Sequence, residues 1–573
     1  MTDAERRLLD AIDMTVPWEL VETFAQHPRV HPRDVNAAAE MIAERLRAHG
    51  IPVLMHEASI FLTIPHHAEV RAGDVTFGGK APAGCADAKD GVTAPLVYVP
   101  AGFAIGSEDV FDTFDAKAAA RTDVTGKIAI TEGFASPATV TNLARLGAAA
   151  VIAINPGADS HWGTCTSVWG TPGHDERNGA PNIPAINVNR PDGDTLKAMA
   201  ERGESVTVAV TMESGWFKSI VPEVRIDGKD SDDFVLVHGH YDSWDVGVGD
   251  NATGDATLLE LARLLHARKD ELTRGVRIAW WPGHSTGRYA GSTWYADTFA
   301  VDLVEHCVAQ VNCDSPGCRW ATEYKDVSLT AETERFAASI IEDAVGQPLF
   351  AERAHQAGDY SFNNLGLSGY FMLLSTMPDD VREEKGYYGV GGCGGNIAWH
   401  TEHDTLEVAD REILEKDVRI YALAAYRNAT ARYLPLDFRD AVQGHLATLD
   451  RYQQAAGSHF DLTPAKEAAQ GLKESLDQLA VKLEAGTVDP DVANALLKKL
   501  SRELVPLDYT TRPRFDHDPA LTIPPLPDVA DADKLADMDE HERAFAVTSL
   551  VRGRNRIVAT LRAARNAVAD VLS

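Results

Sequence analysis

One stretch constrains the rest of the chain: residues 235–260, VLVHGHYDSWDVGVGDNATGDATLLE. It starts from an apolar run, Phe234, Val235, Leu236 and Val237, and passes through His238, His240, Asp242, Asp245, Asp250 and Asn251. It closes on a helical pattern carrying Ala256, Leu258, Leu259, Leu261, Ala262, Leu264 and Leu265. A buried strand that ends in ligand-type side chains and turns through glycines into a helix is how an open α/β sheet builds a site at its strand ends. His240 and Asp250 bring imidazole and carboxylate, both suited to zinc. A solvated loop capping a strand is the plainer reading, and the density of His and Asp argues against it.

With 573 residues the chain exceeds one core, so several domains are expected. Helices lead: RRLLDAID, then VNAAAEMIAERLRAHG ending at Gly50, followed by strand-like IPVLMHEA and SIFLTIP. Residues 95–213 have their own strand and helix alternation and read as an inserted domain. From 234 to about 435, strands alternate with helices, including strand-like CVAQVNCDS and YFMLLST, which implies an α/β fold: a mostly parallel, helix-covered sheet. Residues 1–94 and 214–435 then make one domain, and 436–573 a C-terminal helical domain suited to dimerisation.

The net charge of −31 argues against nucleic-acid and anionic-membrane partners. The N-terminal MTDAERRLLDAIDM lacks the apolar core of a signal peptide, and six sparse cysteines suit reduced thiols, so a cytoplasmic protein is expected. Cys313 and Cys318 are the one pair close enough to suggest a thiolate metal site, and a lone pair is a weak signal.

Three more places look like metal ligands. Asp314 ends the apolar CVAQVNCD, His284 ends RIAWWPGH, and His400 sits in WHTEHDTLEVAD before a helix. Any one of them alone is an ordinary loop residue, but with His240 and Asp250 they make five candidates, each at a strand end or a strand-to-helix loop, which is harder to dismiss.

At this point the motifs resemble a family. HYDS…GVGDNATGDATLLELARLL, NCDS and WHTEHDTLEVAD are similar to the three metal motifs of the co-catalytic zinc metallopeptidases, which include bacterial aminopeptidases, glutamate carboxypeptidase and the metal-free transferrin receptor. GDYSFNNLGLSG resembles the segment before that family's last sheet strand. The segment at 95–213 is similar to a protease-associated (apical) domain, and the C-terminus to a dimerisation domain, which implies a homodimer. The resemblance implies two divalent ions, zinc foremost. His240 and Asp314 would bind one, His400 the second, and Asp250 would bridge them. Asp242 would orient the site, with Asn251 and Gly254 shaping the turn.

The chain departs from the family where two adjacent glutamates are expected. It has AWWPGHSTGRYAGSTWYAD instead. Either His284 replaces the second glutamate as a ligand of the ion held by His400, or it replaces the first as general base with Ser285 a poor ligand. Imidazole is a common zinc ligand and serine is not, which favours the first. Glu402 and His403 are candidates to supply the missing base. Arg288 is a candidate to bind a carboxylate or an oxyanion. The expected function is an aminopeptidase-like, metal-dependent hydrolase of peptide or other amide bonds that uses a metal-bound water. The alternatives are a same-fold enzyme turned to a non-peptide small molecule, and a non-catalytic receptor-like protein.

Overall fold

The computed structural model describes every residue except 105–109, 111–112, 326 and 355–357. Its spine is one 11-stranded sheet that runs through both α/β parts. Two strands carry it across: Leu54–Ala72 and Ser205–Ile226 pair antiparallel almost end to end. At about 3.3 Å per residue, the 22 residues of the second reach about 70 Å, enough to serve two domains. The sequence suggested two short strands at IPVLMHEA and SIFLTIP, but the alternation of buried Ala58, Ile60, Leu62 and Ile64 runs on without a break.

Beside the long strand lie Gly275–Trp281, Phe234–His240, Cys307–Asn312 and the two-residue Gly369–Tyr370. The last three junctions are parallel and the first is antiparallel. Phe234–His240 is buried throughout because helices cover both faces. Val235 and Val237 pack into the core formed with helices Pro32–Ala48, Thr253–His266 and Arg411–Thr430, while Phe234 and Leu236 face Trp281, Tyr295 and Phe362. Each such buried aliphatic contributes about 1.5–3 kcal/mol. YFMLLST extends the sheet by only two residues, because Phe371 takes a φ of 57° and turns the chain away.

In the inserted part, the long strand pairs with Ala88–Tyr98, followed by the parallel strands Ile128–Glu132, Ala150–Ile154 and Ala185–Val188 around a separate core. Beyond residue 435, helices Phe438–Ala456, Thr463–Glu484, Pro490–Tyr509 and Glu540–Leu572 pack on one another and on the main core. Among the described residues, no helix is long and apolar enough to cross a membrane.

Candidate metal centre

The strand ends meet where the sequence places its ligands. His240 closes the strand Phe234–His240, and its Nδ1–H donates to the Asp242 carbonyl at 2.9 Å, which leaves Nε2 as the lone-pair nitrogen. That nitrogen lies 2.9 Å from Asp250 Oδ1 and 3.6 Å from Asp314 Oδ2. The other oxygen of Asp250, Oδ2, lies 3.1 Å from His400 Nε2. His400 in turn donates from Nδ1 to the carbonyl of Trp162 at 3.1 Å. Asp250 therefore offers one oxygen to each of two imidazoles, the arrangement by which a carboxylate bridges two cations.

His240 Nε2 and Asp250 Oδ1 are both buried without a hydrogen bond, which is costly unless something else satisfies them. Three side chains, His240, His284 and Asp314, each place a ligand atom within 4.8 Å of the other two. A donor set of imidazoles and carboxylates fits zinc or a similar divalent ion. Burial alone would push Asp250 up, but His240 and His400 outweigh it and hold the carboxyl well below its usual range. Burial opposes charge on His240, and the Asp314 and Asp250 carboxylates overcome it and raise its affinity for a proton. A divalent ion would displace that proton.

His284 starts the short helix His284–Gly287, whose backbone is held by Asp242: Oδ1 accepts from the His284 N–H and Oδ2 from the Ser285 N–H, both at 2.9 Å. Ser285 thus enters through its backbone. The His284 ring stacks on His240 with centroids 3.7 Å apart and planes at 14°. Lone pairs on such rings lie in nearly parallel planes and cannot both point at one ion about 2.0–2.1 Å from each nitrogen. They suit two neighbouring ions, which in such sites sit about 3.5–4 Å apart. The second nitrogen, Nδ1, is 2.8 Å from Asp359 Oδ2. Burial would raise Asp359, and the neighbouring His284 outweighs it and holds the carboxyl down.

Asn251 laces the strand ends together. Its Nδ2 donates to the carbonyls of Cys313 (2.9 Å) and His240 (3.2 Å), and its Oδ1 accepts from the Ser315 N–H. A side chain on Gly254 would strike that amide, so the helix start must be glycine there. Arg288 is buried, has a φ of 44°, borders the same cavity as Asp250, His284 and Asp314, and lies over the Tyr289 ring at 4.7 Å.

Other candidate residues have partners elsewhere. Glu402 points outward and pairs with Lys80, which also covers the Trp162 ring at 3.9 Å. The pairing ties Glu402 to the rim, because a lysine is there to neutralise it. The exposed His403 faces Asp159 at 3.5 Å. Neither is brought to the ligands. Cys313 and Cys318 also diverge: the Cys313 thiol reaches the Gly254 carbonyl and the Cys318 thiol that of Ser315. Burial raises the Cys313 thiol well above its usual value, so no thiolate pair forms there.

Three residues escaped the sequence reading. Asp404, four residues after His400, accepts from the N–H groups of Gly249 (2.7 Å) and Asp250 (3.0 Å) and so fixes the backbone of Asp250. Burial, with the charge of Asp250 adding to it, pushes Asp404 up to about 7. Asp359 lies in the quoted GDYS segment. Arg29, buried under the site, donates to the carbonyls of Tyr241, Val246 and Gly247. The spacing in HTEHD was a usable signal for Asp404; nothing local marked Arg29.

Residues 223–424 match peptidase family M28, and residues 92–196 match the PA domain. The chain is 29% identical over 122 residues to leucine aminopeptidase 2 of Trichophyton equinum, a span covering 20% of this chain and 24% of that protein. It is 30% identical over 125 residues to carboxypeptidase Q of Xenopus laevis, covering 21% and 26%. The chain thus spans about a quarter of the length of these curated relatives. Among solved structures it is similar to an aminopeptidase from Aneurinibacillus sp. strain AM-1, with a TM-score of 0.53, 22% identity, and coverage of 74% of this chain and 96% of that one. It is also similar to a zinc aminopeptidase from Bacillus subtilis, with a TM-score of 0.53, 18% identity, and coverage of 73% and 96%. These likenesses agree on the fold. The α/β domain of this chain is thus similar to peptidase family M28 over residues 223–424, and the part inserted in it is similar to a PA domain over residues 92–196.

Proposed function

We propose that the chain is a metal-dependent hydrolase of peptide or other amide bonds, aminopeptidase-like, working at a two-ion site. The observation that carries this reading is the split of the Asp250 carboxylate between His240 and His400. His240 and Asp314 would hold one ion, His400 and His284 the other, and Asp250 both. Zinc is the expected ion. When bound, the two ions would polarise the substrate carbonyl and lower the pKa of water.

The protein's own groups do the rest. The carbonyls of Asp242 and Trp162 and the carboxylate of Asp359 each accept an Nδ1–H, so His240, His400 and His284 all keep Nε2 for the ions. Asp404 and Asn251 hold Asp250 and the strand ends in place. Arg288, in the cavity wall, would bind a substrate carboxylate or steady negative charge on the attacked carbonyl. Glu402, paired with Lys80, is then not the stand-in for the missing base. That supports a second reading, a same-fold enzyme acting on a non-peptide amide. We further infer a cytoplasmic homodimer joined through the helical domain, whose long helix exposes Phe545 and Val551. Sedimentation of the full chain tests the dimer.

The deciding experiment measures zinc content together with turnover of aminoacyl arylamides and a panel of N-acyl amino acids. About two ions per chain, with arylamide cleavage lost on chelation and in His240→Ala, support the peptidase reading. Two ions with cleavage of acyl amides alone support the second. Absence of bound metal overturns both.

A further inference from the structure

The two proposed ions are supported by different parts of the protein. His240 is oriented from within its own domain, by the carbonyl two residues on. His400 and His284 both trace back to a single loop of the inserted PA domain, residues 161–170.

For His400 the link is direct. Its Nδ1–H donates to the Trp162 carbonyl, and the Trp162 N–H donates back to the His400 carbonyl at 2.9 Å. One residue earlier, His161 adds a one-way bond, its ring Nδ1–H donating to the Trp399 carbonyl at 2.6 Å. For His284 the link is a buried chain. The Trp169 Nε1–H donates to Ser361 Oγ at 2.9 Å, and Ser361 and Ser292 share a hydrogen bond at 2.8 Å. Ser292 Oγ donates to Asp359 Oδ1 at 2.6 Å, and Asp359 Oδ2 takes the His284 Nδ1–H at 2.8 Å. Every member of that chain is at most 4% exposed apart from the His284 ring.

The loop is seated firmly enough for this. Thr164 Oγ1 donates to the Ser285 carbonyl at 3.0 Å, and the Gly170 N–H donates to the Arg288 carbonyl at 2.6 Å. Gly170 has a φ of 74°, and a side chain there would collide with Thr293, so the loop lies flat against the peptidase domain. A His ligand whose far nitrogen is held by an acceptor keeps both its tautomer and its direction, and losing such a partner typically weakens metal binding about 10–100-fold.

We propose that loop 161–170 of the PA domain, acting through the Trp162 carbonyl on His400 and through Trp169, Ser361, Ser292 and Asp359 on His284, sets the ligands of the second ion, so that loading of that ion alone depends on how this domain is docked. Asp359 and Trp169 are positioning residues here. The proposal rests on the two-ion reading above.

The test titrates zinc into the full-length chain and reads stoichiometry and affinity by calorimetry and elemental analysis, with no reference to turnover. Asp359→Ala is expected to keep the first ion at wild-type affinity and to bind the second about 10–100-fold more weakly. Asp359→Asn, nearly isosteric, gives the same direction if the alanine variant fails to fold. Trp169→Phe keeps the ring, removes the N–H, and weakens the same ion by less. Nitrogen-15 NMR of labelled histidines in the metal-free protein, with the His284 signals identified by their loss in His284→Gln, reads the tautomer directly. The wild type is expected to carry the proton on Nδ1, and Asp359→Ala to lose that preference.

Folded variants that bind both ions with wild-type affinity, or that weaken both equally, overturn the proposal. If the wild type itself binds fewer than two ions, the two-ion reading fails and dependence of the second ion falls with it. The tautomer then still judges the role of Asp359, which is overturned by a His284 proton on Nε2.

Discussion

Arg29 offers the sharpest mutational test of how the site is built. It is fully buried and donates to the carbonyls of Tyr241 (2.8 Å), Val246 (2.8 Å) and Gly247 (3.1 Å), which lie 212 to 218 residues away in sequence. Those carbonyls belong to the loop between His240 and Asp250. Burial disfavours the guanidinium charge, and the nearby carboxylates of Asp255 and Asp242 counter it. Arg29→Met keeps the length of the side chain and removes its donors. The carbonyls of Tyr241 and Val246 then lose this partner at about 1–3 kcal/mol each, while that of Gly247 keeps the Ala252 N–H. Relief from burying the charge offsets part of this, and a net loss of about 3–5 kcal/mol is expected. By calorimetry the α/β domain should melt roughly 5 °C or more below wild type. Because the loop carries a ligand at each end, zinc affinity should fall about 10–100-fold. A variant that melts within about 1 °C of wild type and binds zinc normally would show that the ligand loop does not depend on this arginine.

Other outcomes follow from the same geometry. Glu402→Gln should leave turnover within about twofold of wild type, because the carboxylate pairs with Lys80 outside the site and surface pairs contribute little; a loss on the order of a hundredfold would restore Glu402 as the base. Asn251→Leu should weaken zinc binding and lower the melting temperature together, since it unties the carbonyls of His240 and Cys313; unchanged affinity would contradict that role. His161 is buried, which pushes its pKa down to about 3. Its lowered value makes the stability it contributes complete above the unfolded pKa near 6.5, and progressively lost as pH falls from there towards 3. Between pH 7 and pH 5 the loss should be about 2 kcal/mol, measured by urea unfolding and reduced by that amount in His161→Gln; identical pH dependence in the two proteins would refute it.

How much of this was legible in the sequence depends on the range of the interaction. Some candidate ligands announce themselves because they end an apolar run, as His240 does after 234–237 and Asp314 after CVAQVNC. Helix Thr253–His266 was readable from its leucine spacing. What decides orientation was not readable, because it comes from far along the chain. Trp162 meets His400 across 238 residues, Asp359 meets His284 across 75, and Asp404 meets Asp250 across 154. Glu402 illustrates the converse: two residues from a ligand histidine, it was an attractive base by proximity, yet Lys80 draws it outward. The inserted domain was read from its own strand and helix alternation, but turn residues mark loops and cannot show that a 22-residue strand passes through both parts.

The central claim is that Asp250 bridges two ions, one shared with His240 and Asp314 and the other with His400 and His284. Anomalous diffraction at the zinc edge, on crystals of the full chain grown with zinc, tests it most directly. The account predicts two peaks about 3.5–4 Å apart, one on each side of the Asp250 carboxylate, with His284 Nε2 on the same peak as His400. A single peak, or a second peak that leaves His284 unligated, would contradict it.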